Sequence, residues 1–121
     1  MTGPDREQVA RSWTELISGG ITRADAHALA APWVEEKMER VTDPMTRDAL
    51  LHLHGFDLTY TGDGKVGRSV STDWLHSEED ITTGFSRWQK ATAEYDHDPV
   101  GYRARARQCA LELLRKEQRE F

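Results

Sequence analysis

The stretch that decides the fold runs from residue 43 to residue 55 and has the sequence DPMTRDALLHLHG. It opens with Asp43-Pro44, an N-cap residue followed by the proline that is favoured at the first position of a helix. Gly55 stands where helices commonly end. Between them, apolar residues recur at helical spacing on one face: Met45, Ala49, Leu50 and Leu53. The stretch is therefore predicted to be a helix with one buried face.

Helix boundary signals of the same kind occur before this stretch. A first helix is predicted over about residues 5–18, because Gly19-Gly20 follows its last apolar residue. Thr22 and Asp25 have the spacing of a capping box, which opens a second helix. Pro32 is expected to kink or break that helix near residue 31, and the helix is expected to run out near residue 40.

Two further helices are predicted after residue 76. Ser77 is followed by three acidic residues, which suit the positive end of a helix dipole, and a fourth helix is expected to start there. Asp98-Pro99 repeats the cap-then-proline signal and is expected to open a fifth helix that ends near Glu120.

The first, second, fourth and fifth helices each have an apolar stripe that is predicted to be buried. Cys109 lies in the stripe of the fifth helix and is therefore predicted to be an inert thiol in the core. The stripes are Val9, Trp13, Leu16 and Ile17 in the first helix; Ala26, Leu29, Ala30, Trp33, Val34 and Met38 in the second; Ile81, Phe85 and Trp88 in the fourth; and Tyr102, Ala106, Cys109, Ala110 and Leu113 in the fifth.

Residues 56–72 form the one irregular segment, with three glycines and the turn dipeptide Asp63-Gly64. Leu58 and Tyr60 before the turn, with Val66 and Val70 after it, are compatible with a short β-hairpin, and an exposed loop is the alternative. The predicted fold is therefore all-α: a single domain over residues 1–121, with five helices and one glycine-rich loop or hairpin between the third and fourth.

Composition excludes several classes of protein. The 121 residues contain no apolar run near the ~20 residues that cross a bilayer. The first residues lack the basic and apolar regions of a secretory signal, so a cytoplasmic protein is expected. The single cysteine provides neither an internal disulfide nor a metal-binding cysteine cluster.

Charge is unevenly distributed around a formal net charge of −5, which argues against a general nucleic-acid binder. Residues 41–99 carry 11 acidic and 5 basic side chains, whereas residues 100–121 carry 3 acidic and 6 basic ones. The acidic middle segment favours association with a basic partner. The alternative interpretation is that the uneven charge only keeps the protein soluble.

No catalytic or metal-binding constellation is evident in the sequence. His52 and His54 are two residues apart and point to opposite sides of a helix, and His76 precedes the helix on which Asp80 lies. No nucleophile elbow or phosphate-binding loop is present. We therefore predict no catalytic residue, no metal ligand and no cofactor, and the protein is not expected to be an enzyme.

The strongest candidate for a binding surface is Trp74-Leu75, which lies among acidic residues. An exposed aromatic residue ringed by carboxylates has the composition of a protein-binding hot spot. Burial of Trp74 against the fourth helix is the alternative, and it is the favoured one. The predicted partner-binding residues are Asp57, Asp73, Trp74, Glu78, Glu79 and Asp80.

The order of short blocks over residues 16–88 resembles a family of small bacterial helical proteins, some of which are similar to immunity proteins encoded beside polymorphic or contact-dependent toxins. The blocks are LISGGITR at 16–23, APWV at 31–34, TDP at 42–44, LHGFDL at 53–58 and WLHSEEDI at 74–81. The resemblance implies stoichiometric inhibition of a cognate toxin, in which carboxylates meet the cationic residues that would otherwise hold an anionic substrate. No site residue of the family is transferred to this chain.

The predicted function is thus a non-enzymatic, protein-binding domain of the immunity type, with an acidic surface that binds a toxin. The first alternative is a regulatory or nucleic-acid-associated module that uses the basic residues of the last helix: Arg103, Arg105, Arg107, Arg115, Lys116 and Arg119. Glutamates interleave with these residues and can pair with them, as Glu112 can with Arg115 and Lys116. A small hydrolase or metal enzyme is the second alternative.

Overall fold

Five α-helices and one two-stranded hairpin make up the part of the chain that the computed structural model describes, which is residues 3–61, 63–68 and 72–119. The elements are α1 (Arg6–Ser18), α2 (Arg23–Glu35), a 3-10 turn (Met38–Arg40), α3 (Pro44–Gly55), β1 (Thr59–Tyr60), β2 (Val66–Gly67), α4 (Glu78–His97) and α5 (Pro99–Arg119). The predicted all-α architecture is confirmed. Over the described residues, no helix has both the length and the hydropathy required to span a bilayer.

Side-chain caps fix the first two helices at the predicted positions. Asp5 caps α1 in a reciprocal capping box with Gln8, and Thr22 caps α2 in the same way with Asp25. Gly19 ends α1 in the left-handed conformation, with φ of 84°, a value that costs glycine little because it has no Cβ. These caps satisfy backbone groups that the ends of a helix otherwise leave unpaired.

The later helices also start where their capping residues predict. Asp43 caps α3 by accepting from the backbone N–H of Thr46, and Ser77 and Asp80 form a reciprocal pair at the start of α4. The carboxylate of Asp98 accepts from the N–H of Gly101 in the first turn of α5. Local hydrogen bonding therefore explains the start of all three helices.

The second helix differs from its prediction, because α2 passes through Pro32 and ends at Glu35 instead of continuing to residue 40. Proline has no N–H, so the turn before it lacks one backbone bond. The Pro32 carbonyl then accepts from the N–H groups of both Glu36 and Lys37, which are four and five residues later, and the helix ends at this shared acceptor. The remaining residues of the predicted helix form the separate 3-10 turn.

The irregular segment forms the hairpin rather than the open loop. Thr59 pairs with Gly67, and Tyr60 pairs with Val66, in antiparallel register. Gly64 has φ of 79° at the predicted Asp63-Gly64 turn. Val70, which was also expected in the hairpin, lies outside the described residues.

The core is built around Trp13, which is fully buried. Its indole N–H donates to the carbonyl oxygen of Ile81 at 3.0 Å, which connects α1 to α4. Trp88 donates in the same way to the carbonyl oxygen of Met45 at 2.8 Å, which connects α4 to α3. The buried apolar residues are Val9, Trp13, Leu16, Ala26, Ala30, Val41, Met45, Ala49, Leu50, Leu53, Phe56, Ile81 and Trp88.

In the stripes predicted for the first two helices, Ile17 and Leu29 are exposed. Ala26 and Ala30 form the buried part of the α2 stripe, and Trp33 and Val34 are half-buried. The small side chains of Ala26 and Ala30 form the contact face of α2. The face that is buried is therefore narrower than the apolar stripe predicted from the sequence.

The backbone divides into two compact units, one ending at Trp88 and the other beginning at Gln89. In the second unit, the rings of Tyr95 and Tyr102 meet edge to face, with centroids 5.8 Å apart. The predicted buried face of α5 is wrong, since Ala106, Cys109, Ala110 and Leu113 are exposed and Tyr102 is half-buried. Cys109 is therefore not a core thiol. An apolar stripe predicts burial only where another element covers it.

One partly buried ion pair joins the start of α1 to the start of α3. Nε of Arg6 donates to the Asp43 carboxylate at 2.8 Å, and a second guanidinium nitrogen donates at 3.0 Å. Hydrogen bonds from Arg6, with further ones from Thr46, lower the pKa of Asp43 from 3.8 to about 2, against the opposing effect of burial. This carboxylate both caps a helix and holds two helices together.

Asp43→Asn is expected to lower the free energy of unfolding at pH 7 by about 1 kcal/mol, because asparagine still caps the helix but cannot form the ion pair. A depressed pKa contributes stability that is complete above the unfolded value and is lost as pH falls through the folded one. The difference from wild type should therefore persist above about pH 4 and vanish near pH 2. Urea denaturation followed by circular dichroism measures it. Asp48→Asn at an exposed carboxylate is the control, and a pH-independent D43N difference would contradict the assignment.

Candidate functional site

Four predicted binding residues lie on the surface next to the start of α4. Glu78, Glu79 and Asp80 are exposed in its first turn, and Asp73 is exposed shortly before it. The Asp80 carboxylate accepts from the backbone N–H of Ser77, so this residue already serves as part of the helix cap. Glu78 and Glu79 are the residues of this turn that also line a cleft.

The cleft has a volume of about 650 Å³ and lies between the end of α1, the α1–α2 connection and the first turn of α4. Ile17, 38% exposed, and Ile21 provide apolar surface, while Glu78 and Glu79 provide two carboxylates. Among the described residues that line the cleft, Arg23 carries the one positive charge. We call this feature the acidic cleft. It offers apolar contact and negative charge side by side.

Arg23 holds the segments next to the acidic cleft in place. One of its guanidinium nitrogens donates to the carbonyl oxygens of Phe56, at 3.1 Å, and of His76. Partial burial lowers the pKa of Arg23, and the nearby negative charge of Glu78 opposes that shift. The guanidinium remains charged, because arginine does not lose its proton in proteins.

Trp74 is exposed to solvent at 37% of its surface, so the favoured prediction of a buried tryptophan is wrong. The guanidinium carbon of Arg23 lies over its ring, 4.4 Å from the centroid. The backbone of Trp74 pairs with that of Thr59 in an isolated antiparallel β-bridge. These contacts fix the position of the indole while they leave more than a third of it accessible.

Asp57, the remaining predicted residue, belongs to a different cluster. Its side chain is only 15% exposed and accepts from Nε of Arg68 at 3.0 and 3.2 Å. One of its oxygens also lies 3.5 Å from Nδ1 of His27. The sequence placed this carboxylate with the acids of α4, whereas the structure uses it between an arginine and a histidine.

Three side chains near Asp57 have the atoms that could hold a metal ion. His27, Glu35 and His54 each offer one nitrogen or oxygen ligand, and these atoms lie within 4.8 Å of one another. This group was not predicted from the sequence, because metal ligands are expected one turn apart on one helix, whereas His54 comes from α3 and the other two residues from α2. The available signal was the spacing of His27 and Glu35, about two turns apart on α2.

Comparison with known proteins identified no relative: no family model, no curated protein and no solved structure matches the chain.

Arg23→Gln is expected to destabilise the protein by about 1–2 kcal/mol, because two partly buried carbonyl oxygens lose a charged donor. Urea denaturation measures the change. Arg11→Gln is the matched control, since the Arg11 side chain is 64% exposed and pairs with Glu7 across one helical turn. That control should change stability by less than about 0.5 kcal/mol. Equal effects of the two substitutions would show that Arg23 does not hold these segments.

Proposed function

We propose that this protein binds another protein in the bacterial cytoplasm and acts as an immunity-type inhibitor of a cognate toxin. The observation that supports this most directly is the acidic cleft, in which Glu78 and Glu79 stand beside the exposed side chain of Ile17. The exposed indole of Trp74, which Arg23 holds in place, adds an aromatic anchor close by.

The acidic cleft fits a lysine or arginine side chain of the partner. Such side chains have an apolar stem and a charged head, so the stem would lie on Ile17 and Ile21 while the head meets Glu78 or Glu79. The two carboxylates outnumber the single charge of Arg23 in the lining, and a concave site concentrates the remaining negative potential. The partner surface is therefore expected to be basic, with at least one protruding cation.

Inhibition follows if those cations are the residues with which the toxin holds an anionic substrate. An inhibitor that occupies them competes with the substrate without any chemistry of its own. Complementary charge also speeds association, and an inhibitor must bind its toxin quickly. The net charge of −5 acts in the same direction.

The test uses the protein encoded next to this chain in its genome, purified and titrated by calorimetry. A 1:1 complex is expected, and the double variant Glu78→Gln/Glu79→Gln should bind at least about tenfold more weakly. Raising salt from about 50 to about 300 mM should reduce the wild-type affinity more than that of the double variant.

The matched control is Glu36→Gln/Glu39→Gln, which removes the same charge from two exposed residues outside the acidic cleft. Its affinity should stay within about twofold of wild type, since distant surface charges are screened. If both double variants weakened binding equally, the effect would come from net charge alone, and this would contradict a specific site at the acidic cleft. Turnover of a substrate by the purified chain would contradict the non-enzymatic assignment.

A second candidate function is nucleic-acid binding through α5. It is favoured by the exposure of Arg103, Arg105, Arg107, Arg115 and Lys116. Two of these are already engaged within their own unit, because Arg103 donates to the Tyr95 hydroxyl at 3.2 Å and Arg105 lies 3.9 Å from Asp98. Glu112 accepts from Gln108 instead of pairing with basic residues as predicted. Salt-dependent binding to DNA or RNA that is lost on neutralising Arg105 and Arg107 would support this function instead.

A further inference from the structure

The group His27, Glu35 and His54 is assembled by the packing of α2 against α3. His27 and Glu35 lie on α2, whose last residue is Glu35, and His54 lies in the last turn of α3. The two imidazole rings are 4.4 Å apart between centroids, and both are half-buried. Glu35 is 56% exposed, so the group opens toward solvent on one side.

His27 is oriented as metal-binding histidines usually are. Its Nδ1 lies 2.9 Å from the carbonyl oxygen of His54, and because a carbonyl can only accept, Nδ1 carries the proton. The Asp57 carboxylate, 3.5 Å from the same nitrogen, is a second acceptor. In the neutral imidazole, Nε2 then keeps its lone pair. A ring nitrogen fixed by a carbonyl or carboxylate is the outer-shell arrangement that orients histidine ligands.

The distance between His54 and Glu35 suits two ligands of one ion. Nε2 of His54 and Oε2 of Glu35 are 3.4 Å apart, which is long for a hydrogen bond between such groups. Ligand atoms about 2.0–2.1 Å from a tetrahedral Zn²⁺ lie about 3.3–3.4 Å from one another. The pair is thus already spaced for coordination.

Arg68 is the one cation that contacts this group among the described residues. A guanidinium nitrogen donates to the His54 carbonyl oxygen at 2.9 Å and lies 3.3 Å from Nδ1 of the same residue. Coordination through Nε2 of His54 places the proton on Nδ1, so of its two contacts with His54 Arg68 then keeps only the bond to the carbonyl. Its charge is compensated by Asp57.

We propose that His27 and His54, each through Nε2, and the carboxylate of Glu35 form a binding site for Zn²⁺, with a fourth position open to water. Two imidazoles and one carboxylate favour a first-row transition metal such as Zn²⁺ over Ca²⁺ or Mg²⁺, which prefer oxygen ligands. Three protein ligands and one open position also distinguish the site from the closed, four-ligand sites of structural zinc. This site does not depend on the acidic cleft.

The experiment titrates the metal-free full chain with ZnCl₂ in competition with a chromophoric chelator. One Zn²⁺ per chain is expected, with no displacement by millimolar Mg²⁺. Glu35→Gln should weaken binding at least about tenfold, because loss of even an outer-shell partner costs ~10–100-fold. Glu36→Gln is the matched control, since Glu36 is the next residue, is exposed and carries the same charge. It should leave the affinity within twofold of wild type.

The histidines are tested separately, with folding checked by circular dichroism. His27→Gln and His54→Gln should each weaken Zn²⁺ binding at least about tenfold, whereas His97→Gln, at an exposed histidine of the second unit, should not. Co²⁺ in place of Zn²⁺ should give the visible absorption of a tetrahedral site in wild type and lose it in H54Q. Because Glu35 is a surface residue, E35Q keeps the test decisive even if a histidine variant fails to fold.

Arg68→Gln tests whether the guanidinium beside His54 opposes binding of a dication at this site. Removal of this positive charge should tighten Zn²⁺ binding several-fold. Weaker binding in R68Q would contradict a dication bound next to this guanidinium. Absence of Zn²⁺ binding by the wild type, or equal binding by E35Q and E36Q, would overturn the site as a whole.

Discussion

The structure of the first unit depends on the burial of one tryptophan with its polar atom satisfied. Trp13 is completely removed from solvent, so its indole N–H needs an internal acceptor, and the carbonyl oxygen of Ile81 provides it. This bond fixes where α4 crosses α1. An added Cβ at Gly84 would lie 3.3 Å from the indole, so a residue without a side chain suits this crossing. The rings packed around Trp13 are His52, Phe56, Phe85 and Trp88.

Both candidate sites follow from the position of α2. Its first residue, Arg23, reaches the carbonyl oxygens of Phe56 and His76 and supports the surface that contains Trp74 and the acidic cleft. Farther along the same helix, His27 and Glu35 meet the end of α3. The two sites use different side chains and different physical principles: charge complementarity in one and ligand geometry in the other. Loss of either one would therefore leave the evidence for the other unchanged.

Most of the fold could be predicted because helix starts are local. Asp5, Thr22, Asp43 and Ser77 each bond to a residue three positions later, and such bonds depend on sequence neighbours alone. The end of α2 was less predictable. Pro32 was expected to kink or break the helix near residue 31, and the helix was expected to run out near residue 40. Instead α2 passes through Pro32, because a proline removes only one backbone bond, and ends at Glu35.

Burial and the candidate sites were decided by partners that are distant in sequence. The apolar stripe of α5 predicted a buried face and an inert Cys109, yet these side chains are exposed, because periodicity reports a possible contact face and cannot supply the element that covers it. Trp74 was expected to pack against α4, but in the fold the guanidinium of Arg23 lies over its ring, and 37% of the residue is exposed.

The sequence by itself determined where the helices begin, where the chain turns at Asp63-Gly64, and that acidic residues gather at the start of α4. These features arise from hydrogen bonds, backbone freedom and composition within a few residues. Only the tertiary structure decided that Asp57 pairs with Arg68 and that His54 meets His27 and Glu35. Those residues are 11 to 27 positions apart in the chain. Such distances are closed by helix packing, which a local pattern does not encode.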